Sequence, residues 1–402
     1  MKITRLLLIG LMFLSLGISA QDKKDTSKTE GYQFKDIVRL KTTSVKNQYR
    51  AGTCWSYSTI SFLESELLRM GKGEYDLSEM WIVRHTYHDK AEKYVRLHGI
   101  LNFGQGGAFH DVTAMIDEYG IVPQDVYPGL NYGTEKDVHG EIEAVLKGFV
   151  DAVVENKNRE ITPVWLTAYD KVLDTYFGEE PEKFNYKGKE YTPKSFAEDL
   201  GLKGENYVEI TSFTHHPFYT KFPIEVQDNW MWDEVYNLPL DEMMKVMDYA
   251  LDHGYTIAWG ADVSEKGFSW NHGIAIVPEE TKENLADDER SKWSKLTERE
   301  RKALFYTFDK PVKEKEITQE MRQKAFDNYT TTDDHGMHII GYAKDQNGTK
   351  FYIVKNSWST KGSPYEGYFY ASESFVKYKT MDFMIHKDAL PKDIAKKLGI
   401  GK

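Results

Sequence analysis

At 402 residues the chain exceeds what one small core can organise, and 40% apolar with 14% aromatic residues is too rich for global disorder. The formal net charge is −11 with no basic stripe to offset it, so phosphate backbones are repelled and nucleic acid is excluded as a partner. The first element is "MKITRLLLIGLMFLSLGISAQ", in which Lys2 and Arg5 precede an apolar run from Leu6 to Ile18 and small residues up to Ala20. This pattern predicts a signal peptide over residues 1–20, with an apolar run too short for a lasting membrane span. The expectation is an exported protein, periplasmic or secreted, with no stable membrane insertion after cleavage. Residues 21–35 are polar and read as a flexible lead-in.

Next comes "VKNQYRAGTCWSYSTISFLESELLRMGKG", from Val45 to Gly73, which holds the only cysteine, Cys54. Tyr57, Ile60, Leu63, Leu67 and Met70 recur at helical spacing, and Gly71 and Gly73 are stop signals. Cys54 is therefore expected in the first turn of a buried helix. Free backbone N–H groups and the helix dipole favour an anion there, which would ease thiol ionisation. A lone thiol in an exported chain forms no internal disulfide, so it reads either as an inert buried hydrophobe or as a nucleophile.

A nucleophilic thiol needs a base. His85, His88 and His98 lie on a polar helical stretch and read as solvated; His215 and His216 read as loop. There is no HExxH motif and no cysteine-rich zinc pattern, so neither a metal nor a cofactor is expected. "TTDDHGMHIIGYAKDQNGTKFYIVKNSWSTKG", Thr331 to Gly362, reads differently. The Asn-Gly turn predicts a hairpin that brings His335, at the start of one strand, beside Asn356, at the end of the next. His338 is three residues on, and side chains alternate along a strand, so it is expected on the opposite face. Asp333 and Asp334 are expected to help keep a His335 imidazolium charged.

Five stretches in this order resemble the papain-like cysteine peptidases: "NQYRAGTCWSYS", "DLSEM" at Asp76–Met80, "GQGGAFHDVTAMIDEYGIVPQDVYPG", "DHGMHIIGYA" and "NSWS". Surplus length, "WGADV" and "IHKDALPKDIAKKL" are similar to the bleomycin hydrolase and aminopeptidase C branch. The resemblance implies an α+β, two-lobed fold over residues 36–402. A helical left lobe faces an antiparallel sheet or barrel on the right, with large helical insertions at about 131–253 and 278–328. It implies Cys54 as nucleophile, His335 as base, Asn356 as its orienting partner and Gln48 as an oxyanion donor. It also implies Gly106, Gly107, Trp55 and Trp358 around a peptide substrate, and a homo-oligomer. Trp358 would cover the contact between Asn356 and His335. The activity implied is that of an aminopeptidase. The sequence ends at "KKLGIGK", where that branch carries a longer arm into the cleft, so an endopeptidase with an open cleft is one alternative expectation. A catalytically silent binding protein is another.

Overall fold

The computed structural model describes residues 31–158 and 160–401. The expected signal segment lies outside the described residues, as does most of the lead-in. The part that is described packs on the sheet. Phe34 stacks on Tyr370 with ring centres 3.8 Å apart, and Tyr32 meets Phe351 edge-on at 5.8 Å. Aromatic residues at alternate positions put both rings on one face, and their burial outweighs the polar run before them.

The strands in chain order are β1 (Lys35–Arg39), β2 (Phe184–Tyr186), β3 (Lys189–Tyr191), β4 (Tyr207–Thr211), β5 (Lys221–Pro223), β6 (Glu234–Asn237) and β7 (Ile257–Ala261). They continue as β8 (Phe268–Ser269), β9 (Ile274–Ala275), β10 (His335–Lys344), β11 (Lys350–Lys355), β12 (Tyr368–Ser372) and β13 (Thr380–His386). Eleven of them form one sheet in the order β5-β6-β4-β13-β7-β10-β11-β12-β9-β8, with β1 also on β10. The sheet was expected to be antiparallel and is mixed, because β4 pairs with β6, and β12 with β9, in parallel. β7 and β10 are central and covered on both faces, which is why both read as nearly unbroken apolar runs. The β10–β11 hairpin turns at Asn347-Gly348, where Gly348 takes a φ of 85° that a side chain would resist.

The helical lobe contains α1 (Cys54–Arg69), α2 (Glu79–Arg96), α3 (Phe109–Tyr119), α4 (Gly140–Val154), α5 (Trp165–Phe177) and α6 (Pro193–Leu200). α2 starts at Ser78, whose hydroxyl accepts from Trp81 N. Its polar stretch was expected in solvent, but α4 and α5 pack over it. His85 is buried and stacks on Tyr119 at 4.1 Å, while His88 bonds Asp170 at 2.6 Å. The expected first insertion is thus part of the body: its α4 and α5 cover α2, its β4 pairs with β13, and Met243 and Met247 of its last helix, Leu240–Asp252, enter the sheet core. In the second, no described side chain of the short Asp287–Lys292 and Glu298–Ala303 helices is buried, in keeping with their charge.

Among the described residues two large apolar cores result, one among the helices and one on the sheet, with two smaller clusters beside them. The two large cores meet where α1 lies on β10. Gly336 makes that contact close: a Cβ there would stand 2.8 Å from Ser58 Oγ and 3.2 Å from Trp55 Cα.

Candidate active site

Cys54 is the first residue of α1, so its backbone N–H has no acceptor within the helix. The approach to it is held by Gln105, whose Oε1 accepts from Gly52 N at 2.6 Å and whose carbonyl accepts from Trp55 Nε1 at 2.9 Å. Gln105 Nε2 in turn donates to Glu143 at 2.6 Å. The cysteine keeps partial exposure to a cavity of about 40 Å3 that is also lined by Trp55, Gly107, Asp228, Asp333, His335 and Asp382. That is the space of a water or two.

His335 begins β10, and Asn356 follows directly on β11. His335 Nε2 lies 2.7 Å from Asn356 Oδ1, and Ser357 N donates to the same oxygen at 2.8 Å. The second bond fixes the Asn356 amide, so Oδ1 is the acceptor and His335 Nε2 carries the hydrogen. Nδ1 is left with a lone pair, the form a general base needs. Trp358 stacks on the imidazole, 4.6 Å between centres and 26° between planes. His338 lies on the other parity of the strand with Gly336; its Nδ1 bonds Ser61 of α1 at 2.9 Å, away from the Cys54 cavity.

Gln48 is tied to the same corner. Its backbone N–H donates to Ser357 O at 2.8 Å, and Ser357 Oγ donates to its Oε1 at 2.5 Å. Its Nε2 donates to Ala51 O at 2.8 Å, which leaves one amide hydrogen. Gly106 and Gly107 were expected to leave room for a substrate backbone. Both also pack closely against this chain on the side where a Cβ would stand. A Cβ on Gly106 would stand 1.9 Å from Asp228 Oδ2, and one on Gly107 would meet Asp111 at 2.6 Å and the Trp55 ring at 2.8 Å.

The electrostatics also depart from expectation. Burial pushes the Cys54 thiol up to about 12; Asp333 and Asp228 add to the rise, while hydrogen bonds from the Gly336 and Trp55 backbone oppose it. Burial outweighs the helix N-terminus because an anion here faces two carboxylates and little water. Burial likewise takes His335 down to about 4, against upward pulls from Asn356 and Asp334. Taken singly, each group is thus shifted toward its neutral form. Asp333, read as a support for His335, instead faces the cleft. It stays accessible but stands in a concave site, where water screens poorly, and its carboxyl is pushed up to about 7 by that enclosure, then by Asp228 and Asp334.

Three site residues had no signal in the sequence: Asp228, Met381 and Asp382. They come from segments with no motif, and only tertiary packing brings them to Cys54. Among the described residues, one group has metal-ligating side chains in reach of each other, His215, His216 and Glu225. His215 Nδ1 accepts from Gln323 Nε2 at 3.0 Å, so its Nε2 carries the hydrogen and donates to Glu225 at 2.9 Å. Gln323 cannot turn over, because its Oε1 accepts from Thr214 N and its Nε2 donates to Asp327. The group is a hydrogen-bonded cluster whose tautomer does not suit a metal.

The family described as papain family cysteine protease matches residues 33–174 and 297–385. Those stretches contain Gln48 and Cys54, and His335 and Asn356. Aminopeptidase C from Lactobacillus delbrueckii subsp. lactis is 24% identical over 430 residues, covering 96% of this chain and 87% of that protein. Aminopeptidase W from the same organism is 22% identical over 390 residues, with 89% and 84% covered. A crystal structure of PepW from Lactobacillus rhamnosis HN001 superposes with a TM-score of 0.67 at 18% identity, covering 91% of this chain and 84% of that one. At that identity the likeness speaks for the fold.

Proposed function

The chain belongs to the papain family of cysteine proteases, and from that premise we propose that it is an exported thiol aminopeptidase using Cys54, His335 and Asn356. The observation that carries this is the His335–Asn356 pair, set in one tautomer, beside the cavity that holds Cys54. As Cys54 Sγ attacks a peptide carbonyl, its proton passes to His335 Nδ1. The charges then form together, each offsetting the burial cost of the other. The Cys54 N–H and the free Gln48 amide hydrogen donate to the oxygen that becomes negative, worth about 2.7–4 kcal/mol for a donor. The C–N bond breaks, the amine leaves with the His335 proton, and a thioester remains on Cys54. Water then gives its proton to His335 and adds to the thioester; the C–S bond breaks, the acid leaves, and His335 returns the proton to Cys54 Sγ. Asn356 holds the ring throughout, and Trp358 keeps water from that contact.

The aminopeptidase reading is supported by the likeness to aminopeptidases C and W. Turnover of aminoacyl fluorophores, lost in Cys54→Ala, together with stoichiometric labelling of Cys54 by an epoxide thiol inhibitor, is the test. A second reading, peptide binding without turnover, draws on the neutral thiol and imidazole. Labelling without turnover would favour it. Export is proposed from Lys2, Arg5 and the apolar run to Ile18. An intact mass that retains residues 1–20 on protein from the native host would sink that part.

A further inference from the structure

The segment from Ile224 to Trp232 crosses the helical wall of the cleft and is pinned along its length. Asn229 donates to Ile224 O and Asp233 O, Trp230 Nε1 donates to Asp111 Oδ2 at 2.6 Å, and Lys93 Nζ donates to Met231 O at 2.7 Å. What it presents to Cys54 is the carboxylate of Asp228. Asp228 Oδ1 accepts from Asn102 Nδ2 at 3.0 Å. Among the described residues no lysine, arginine or histidine pairs with Asp228. The closest cation in its field, Lys90, is engaged beneath the glycine loop, donating to Gly104 O and Gly106 O.

Two features of this carboxylate point to a ligand. It stands against the backbone of Gly106, where a Cβ would lie 1.9 Å from its Oδ2, and so marks the glycine segment beside Cys54 with a negative charge. It also borders both the Cys54 cavity and an adjoining groove of about 470 Å3, and among the described residues neither is lined by a lysine or an arginine. Asp333 borders both as well. A cation is what offsets an unpaired carboxylate in a poorly hydrated site, and the cation that a peptide carries at its end is the α-ammonium.

We propose that Asp228 receives the α-ammonium of the substrate's free N-terminus and so sets the exopeptidase specificity of the cleft. The inference rests on the aminopeptidase reading and adds the residue and the segment that enforce it. A cation seated at Asp228 also screens Cys54 from a charge that holds its thiol protonated. Substrate binding and thiol activation are therefore coupled.

The test compares the wild-type chain with the near-isosteric Asp228→Asn on an aminoacyl fluorophore and its N-acetyl counterpart. Thermal transitions and epoxide labelling of Cys54 serve as checks on the fold. The wild type is expected to prefer the free amine by about 10²-fold or more in kcat/KM. Asp228→Asn is expected to lose about 30-fold or more on the free amine, mainly through KM, with the acetylated substrate unchanged or faster. Equal losses on both substrates, or an unchanged preference, would overturn Asp228's role and leave the aminopeptidase standing. A wild type that cleaves both substrates equally would overturn the inference and the aminopeptidase reading together, and one that cleaves neither would remove the peptidase itself.

Discussion

The two walls of the cleft are built on different physics. On the sheet side, His335, Asn356, Ser357, Gln48 and Trp358 are joined by short hydrogen bonds and a stacked ring. The second is a wall of carboxyls drawn from both sides: Asp228 on the Ile224–Trp232 segment, with Asp333 before β10 and Asp382 on β13 of the sheet, in a cavity lined by no lysine or arginine among the described residues. The first wall orients groups, which neutral hydrogen bonds do well at about 1 kcal/mol each. The second holds unbalanced charge, which orients little but selects strongly for the opposite sign. Position and recognition are thus separated across the few ångströms around Cys54.

Removing the base breaks the first wall. His335→Ala should lower kcat/KM by about 10³-fold or more while the thermal transition shows a folded protein. A loss under tenfold would mean that another group takes the Cys54 proton. Gln48→Ala attacks the same wall less directly. The expected loss is about 10²–10³-fold in kcat, with KM little changed. Since Gln48 also bonds Ser357, an unchanged melting temperature is needed to assign the loss to the oxyanion.

The second wall should show itself in pH dependence. The Asp333 carboxyl is pushed up to about 7, so it is neutral below that pH and negative above it. An α-amino group ordinarily loses its proton near about 8. For free-amine substrates kcat/KM should therefore rise through about 7 and fall above about 8, whereas N-acetyl substrates should lack both limbs. Identical profiles for the two substrates would dissociate Asp333 from recognition.

The smallest effect sharpens the comparison within one strand. His338 is as buried as His335 but bonds Ser61 and borders a separate cavity. His338→Ala should cost on the order of 1 kcal/mol of stability and leave turnover within about twofold. Collapse of turnover in this variant would reverse the assignment of the two histidines.

The sheet wall was legible because its parts lie on short-range elements. Cys54 follows a glycine and a threonine into a helix of clear period, and an Asn-Gly turn sets His335 against Asn356. Lobes and cores follow from apolar runs such as β7 and β10. The carboxylate wall was not legible, because Asp228 and Asp382 reach Cys54 only through long-range packing that no local pattern encodes. The same cause bears on the charge argument. A helix N-terminus favours a thiolate locally, while burial and the carboxyls of Asp333 and Asp228, set by long-range packing, push the Cys54 thiol upward. His85 illustrates the rule away from the cleft: it lies in a polar run, and helices supplied by distant sequence bury it.

The most direct measurement is rapid-quench mass spectrometry of the protein mixed with an aminoacyl amide. Transfer of the acyl group to Cys54, with decay at the rate of product formation and no adduct in His335→Ala, is the predicted result. Product formed with no adduct on Cys54, or acylation undiminished in His335→Ala, would contradict a mechanism in which Cys54 attacks and His335 takes its proton.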